Sequence, residues 1–379
     1  MLQRWLKTLT AVSLTCVLFS ACKKNTYSSD DPLVSANTPS VFISSQNKIL
    51  YALDPETGKQ KWQYNLHSNV VATPIVIGNF LFVPSADTLY KLDVNTGVMR
   101  RKYWFGVTAP VIGFLASPTT DTRALFLATY DGLVVSLNPT ADSAASAVNW
   151  TYNLNDTVQS SLVIANGNLL VASLHHVTEL TLAGALVWGV PSPGGNLRSS
   201  PAVSNPYIYV GSDDYNLYAL NAATGATAWQ FTTLGIVNSS PIVYGGNVIF
   251  GSADNYVYCI DSVAKAVRWK FKTQDRVMAS PAAYGQVVYI GGYDSYMYGL
   301  NIIDGTLKWR YKTNGLIQSS AVTQNGRIYV SGYDKYIYSF DTTGQFKWSF
   351  NVGGPIETSP ILYDLAKTYY PSITGQYQY

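Results

Sequence analysis

Cysteine is nearly absent from this chain of 379 residues: Cys16, Cys22 and Cys259 are the whole set, and no two are adjacent. That excludes a disulfide-stapled fold and leaves Cys259, within Tyr258-Cys259-Ile260, as a small buried hydrophobe. Histidine is equally scarce. His67, His175 and His176 lack the spacing of a zinc site, and the vicinal pair reads as a solvated turn. Charged residues make up only 12% of the sequence. There is no glycine-rich phosphate loop, and the Ser-Ser-Pro and Gly-Ser pairs are repeat elements with no helix after them, so they are not nucleophile elbows. No apolar run is long enough to span a bilayer stably; the longest, Leu9 to Phe19, falls well short.

What the sequence has is rhythm. Trp62, Trp104, Trp150, Trp188, Trp229, Trp269, Trp309 and Trp348 are separated by 42, 46, 38, 41, 40, 40 and 39 residues. A period of roughly 40–45 residues fits a four-stranded propeller blade, which cannot bury its faces alone and must stack around an axis. The clearest copy runs from Ser200-Pro201-Ala202-Val203 through Tyr207-Ile208-Tyr209-Val210 and Leu217-Tyr218-Ala219-Leu220 to Trp229-Gln230-Phe231. We label its strands A to D in that order. The C–D connection is the most regular: Asp54-Pro55-Glu56-Thr57-Gly58, Asp93-Val94-Asn95-Thr96-Gly97, Asn221-Ala222-Ala223-Thr224-Gly225. Its Asp or Asn caps amides two residues on, and its Gly supplies the left-handed residue of a bulged hairpin, so these acids are turn formers.

Tyr51-Ala52-Leu53-Asp54-Pro55-Glu56-Thr57-Gly58-Lys59-Gln60-Lys61-Trp62 and Ala219-Leu220-Asn221-Ala222-Ala223-Thr224-Gly225 with Trp229-Gln230-Phe231 resemble the repeat of pyrroloquinoline-quinone (PQQ) type β-propellers, over residues 40–379. The resemblance implies that all eight tryptophans dock between neighbouring blades. The family includes quinone-dependent alcohol and sugar dehydrogenases, which carry vicinal cysteines beside the cofactor and a Glu/Asn/Asp calcium site. The vicinal cysteines are missing here. The reading is therefore of a protein that is not an enzyme, with no cofactor and no catalytic or metal residues.

The expected fold is all-β: an eight-bladed β-propeller of four-stranded antiparallel blades. Phe42-Ile43-Ser44 aligns with strand B, so the first copy lacks strand A; Thr358-Ser359-Pro360-Ile361-Leu362 supplies it, and the terminal strands share one blade. Before the propeller, residues 1–21 read as a secretory signal with Arg4 and Lys7 at its basic start. Phe19-Ser20-Ala21-Cys22 resembles a bacterial lipobox, making Cys22 the expected lipid attachment site and residues 22–39 a flexible tether. Removing Arg4 and Lys7 from the 25 basic residues leaves 23 against 22 acidic ones, no footprint for nucleic acid. The expected location is the bacterial envelope, lipid-anchored, at the outer membrane.

Function is sought where copies differ inside their shared frame. Three residues before the strand-A proline or its equivalent stand Val71, Leu115, Gln159, Arg198, Asn238, Met278, Gln318 and Glu357. Strand A is innermost in propellers, so Gln159, Arg198, Asn238, Gln318 and Glu357 form a candidate axial binding ring, with Arg198 and Glu357 facing each other across the axis. The stretches Ala109 to Thr122 and Ala141 to Ala147 are a second departure from the repeat. In anchor, length and blade number the chain resembles the eight-bladed lipoproteins of the outer-membrane protein assembly machine. The leading expectation is a non-enzymatic scaffold for envelope protein partners. Two others stay open: a carbohydrate- or polymer-binding propeller, and a quinone-dependent dehydrogenase.

Overall fold

The computed structural model describes residues 38–104, 113–141, 147–364 and 367–369. Its strands fall into eight antiparallel sheets arranged as a ring of blades. Blade 5 is typical: A Ala202–Ser204, B Tyr207–Gly211, C Asn216–Asn221 and D Thr227–Thr232, paired in that order. Strands B and C are buried along nearly their whole length, because both faces press on neighbouring blades. Strand D alternates between exposed and sheltered residues, as an outer strand should.

The seam closes as the sequence implies. Ser40–Ser44 pairs with Ile49–Leu53 on one side and with Ile361–Asp364 on the other. Gln60–Asn65 completes strands A to D of blade 1. A fifth strand, Lys367–Tyr369, pairs with the free edge of Ile361–Asp364.

All eight C–D pairings carry a register shift, the bulge that the Asp/Asn-to-Gly turn predicts. Asp54 Oδ1 accepts the amides of Glu56 and Thr57, and Asp93 repeats this with Asn95 and Thr96. The turn glycine has a second duty. A Cβ on Gly305 would stand 2.6 Å from the Trp269 ring of the preceding blade, and Gly58, Gly97, Gly184, Gly225 and Gly344 face Trp348, Trp62, Trp150, Trp188 and Trp309 in the same way. Five of these indoles also donate to a turn carbonyl of the next blade: Trp62 to Val94, Trp150 to Leu182, Trp269 to Ile302, Trp309 to Thr342 and Trp348 to Pro55. Trp229 is buried among Val248, Phe250 and Tyr258 of blade 6.

Trp104 does not dock, which corrects the reading of eight equivalent tryptophans. It is 70% exposed. The residue that pairs with strand C where the other blades place tryptophan is Arg101, opposite Lys91, as Trp62 stands opposite Ala52 and Trp269 opposite Cys259. Trp104 lies three residues further on. Lys91 fills the joint instead: its buried ammonium sits 4.2 Å from the Phe80 ring centroid and donates to the Pro139 carbonyl of blade 3 at 2.7 Å. Pro139 follows Asn138 as Val94 follows Asp93, so a lysine makes the bond that an indole makes elsewhere.

The Ser-Pro elements link the blades at their inner strands. Each backbone N–H donates to the hydroxyl of the next blade: Ser161 to Ser200, Ser200 to Ser240, and Ser240 to Ser280, at 2.8–2.9 Å. The chain of bonds resumes from Ser320 to Ser359, then crosses the seam to Thr73, Ser117 and Ser161. Links this short around the ring place strand A innermost. They also satisfy inner-strand amides that have no further strand to pair with.

Candidate functional site on the loop face

The meander order of each blade puts the D–A loops and B–C turns on one face of the ring. An aspartate in the B–C turn fixes that face in blades 5 to 8. Asp254 Oδ2 accepts the Tyr258 hydroxyl at 2.7 Å and the amide of Leu234, from the D–A loop, at 3.0 Å. Asp214, Asp294 and Asp334 do the same with Tyr218, Tyr298 and Tyr338. Burial, and then the bond to Asp214, push the Tyr218 phenol up to about 12. Blade 4 inverts the latch. Its B–C turn has no aspartate, so Asp156 in the D–A loop accepts the His175 amide at 2.7 Å and its Nδ1 at 2.8 Å, with His176 Nδ1 at 3.4 Å. The Asp156 side chain is 7% exposed. Burial raises its pKa, but hydrogen bonds from Ser173 and His175 outweigh that and hold it at about 2. Both imidazoles are more than half exposed, in keeping with a solvated turn.

The five ring residues all lie on this face, but they do not form one set. Arg198 is exposed, donating from Nε to Asp213 at 2.9 Å and from Nη1 to Gln159 of blade 4 at 2.8 Å. On blades 7, 8 and 1, Tyr293 donates to Gln318 at 2.8 Å, and Glu357 Oε1 accepts from Tyr333 at 2.6 Å and Gln46 at 2.7 Å. Burial, and then the Glu357 carboxylate, push the Tyr333 phenol above its usual range. Asn238 stands alone, its Oδ1 buried without a hydrogen-bond partner among the described residues. Arg198 and Glu357 therefore belong to separate networks.

Sequence reasoning missed Asp213, Tyr293, Tyr333 and Gln46. The signal was present: the two tyrosines of these networks sit in Gly292-Tyr293-Asp294 and Gly332-Tyr333-Asp334, while the matching turns read Ser212-Asp213-Asp214 and Ser252-Ala253-Asp254. Asp213 meets the ring residue of its own blade, and Tyr293 and Tyr333 meet those of the next blade, whereas Ala253 offers no polar group.

Where the ring turns apolar it opens. A cavity of about 580 Å³ is lined by Val71, Leu115 and Phe114, with Lys48, His67, Asn69 and Glu357 among its polar groups. The donors do not fit a quinone–metal pair. Cys259 is buried in blade 6, its thiol pushed up to about 12 by burial, and among the described residues no cluster of three His, Cys, Asp or Glu could hold a metal. Cys22 lies outside the described residues, as do the signal and most of the tether.

A family described as outer membrane protein assembly factor BamB matches residues 23–139, 175–315 and 245–361. The chain belongs to the BamB family. It is similar to the outer membrane protein assembly factor BamB of Moranella endobia (strain PCIT), 24% identical over 232 residues, covering 54% of this chain and 57% of that protein. It is also similar to the protein of that name from Yersinia pestis, 24% identical over 228 residues, covering 52% and 56%. The matches thus span just over half the length of these relatives. Among solved structures, BamB from Moraxella catarrhalis superposes with a TM-score of 0.61 at 15% identity, covering 76% of this chain and 89% of that one. The computationally designed Ika8 protein superposes at 0.67 and 13% identity, covering 78% and 91%. At these identities both show the fold alone.

Proposed function

We propose that this chain is a non-enzymatic scaffold for outer-membrane protein assembly, exported by residues 1–21, lipid-anchored at Cys22, tethered by residues 22–39, and presenting its loop face to protein partners. The observation that carries the reading is the family match along most of the propeller. The loop face supports it. Its polar side chains are held in fixed hydrogen-bond networks that a partner surface can read, such as Gln159–Arg198–Asp213 and Tyr333–Glu357–Gln46. None of these groups is paired as a nucleophile with a base.

The test is cross-linking in intact envelopes followed by purification of the full-length protein. Outer-membrane assembly components should co-purify, and the Arg198→Ala/Glu357→Ala pair should weaken that association. Cys22→Ser should move the protein to the soluble fraction or stall its processing. Absence of every assembly component from the cross-linked material, with oligosaccharides retained on a glycan array, would overturn the reading in favour of a polymer-binding propeller.

A further inference from the structure

The blade that lost its docking tryptophan has an aromatic ring to spare. A Trp exposed to 70% is a large apolar surface that a soluble propeller does not need for packing. It is also fixed in place: the Trp104 Nε1 donates to Asp87 Oδ2 at 2.7 Å. An exposed, pre-positioned indole is the residue type that anchors protein interfaces, since little side-chain entropy remains to be lost. Asp87 is next to Ala86, which lines the 580 Å³ cavity with Val71, Phe114 and Leu115. The indole and the apolar cavity thus occupy one corner of the loop face, at blades 1 to 3.

The charge at this corner has one unmet sign. Glu357 already accepts from Tyr333 and Gln46, and Asp87 from Trp104 and Thr88. Lys48, exposed at the cavity, has no carboxylate partner among the described residues. Neither has Lys102, which shares a strand face with Trp104 by alternation and lies 5.0 Å from the Tyr90 ring centroid. We infer that this corner docks an extended segment of a protein partner that carries carboxylates beside a bulky apolar side chain: the apolar group enters the cavity, the chain crosses Trp104, and the carboxylates meet Lys48 and Lys102. The inference deepens the scaffold reading and rests on it. It assigns Trp104 a role opposite to that of the other tryptophans in the repeat.

The probes are capped synthetic peptides with an Asp-Phe-Glu-Leu core, matched peptides with a Lys-Phe-Lys-Leu core, and maltoheptaose. Binding is read by titration and by protection of tryptophan emission from acrylamide, to which exposed Trp104 contributes most. The acidic peptide should bind and protect; the basic peptide and the sugar should not. Trp104→Ala and Lys48→Glu should each weaken the acidic peptide about tenfold or more, at an unchanged melting temperature, because neither side chain packs in the core. Equal binding of acidic and basic peptides, preference for the sugar, no binding of any probe, or full affinity in Trp104→Ala would overturn the inference. Assembly components retained in the cross-linked material despite such a result would leave the scaffold reading standing and remove the corner alone.

Discussion

Lys91 Nζ donates to the Pro139 carbonyl at 2.7 Å and thereby closes the joint between blades 2 and 3. Lys91 is only 8% exposed, in a strand-C position where six other blades have the small residues Ala52, Ser136, Ala219, Cys259, Gly299 and Ser339 and blade 4 has Glu179. The long stem replaces the volume of the missing indole and the ammonium replaces its N–H. Lys91→Met keeps the stem and removes the donor, so it should cost about 1.5–3 kcal/mol, the range for a hydrogen bond to a charged group. Lys91→Ala should cost more. Urea unfolding checks both; a Lys91→Met protein as stable as wild type would show that the bond is not what holds the joint.

Docking places a limit on the turn glycines that backbone strain alone does not. Gly305 and Gly285 both have positive φ, 73° and 57°, so alanine at either costs about 1–2 kcal/mol of left-handed strain. A Cβ on Gly285 meets nothing within 4 Å, whereas on Gly305 it meets Trp269 at 2.6 Å. Gly305→Ala should therefore lose a further ~1–3 kcal/mol from overpacking. Equal losses for the two variants would mean that the indole yields without cost.

The hydroxyl ring predicts a local effect on exchange. In Ser240→Ala the Ser200 amide loses its acceptor in a buried setting, which costs about 1–3 kcal/mol. Hydrogen exchange at Ser200 should accelerate while strand C of the same blade, Asn216–Asn221, keeps its protection. Unchanged exchange at Ser200 would contradict the link.

Asp156 sets an acid limit on blade 4. Its folded pKa of about 2 lies below the ordinary aspartate value of 3.8. A depressed carboxylate pKa gives stability that is fully present above the unfolded value and is lost as pH falls through the folded one. The wild type should therefore lose more stability than Asp156→Asn between about pH 4 and pH 2. Thermal melts across that window check this; parallel curves for the two proteins would refute the latch.

Much of the fold was legible because the repeat states it many times over. The Asp/Asn-to-Gly turns, the spacing of Trp229, Trp269 and Trp309, and the orphaned strand A at Ser359-Pro360 each follow from local sequence. The irregular positions were harder. Trp104 kept the rhythm roughly but stands three residues outside the frame, and only strand pairing reveals that Arg101 occupies the docking register. A lysine inside Leu89-Tyr90-Lys91-Leu92, where six of the other seven copies have a small residue and one has Glu179, was the available clue.

The site divides in the same way. Sequence alone determined the eight blades, their turns, and which face bears the variable residues, because strand alternation and turn chemistry act over a few residues at a time. Tertiary structure decided which of those residues meet. Gln159 reaches Arg198 across a blade joint, Glu357 takes a hydroxyl from Tyr333, and Asp156 substitutes from the opposite loop for an absent turn aspartate. Such contacts depend on how neighbouring blades are rotated about the axis, and that rotation is set by the packing of whole faces, which no single segment encodes.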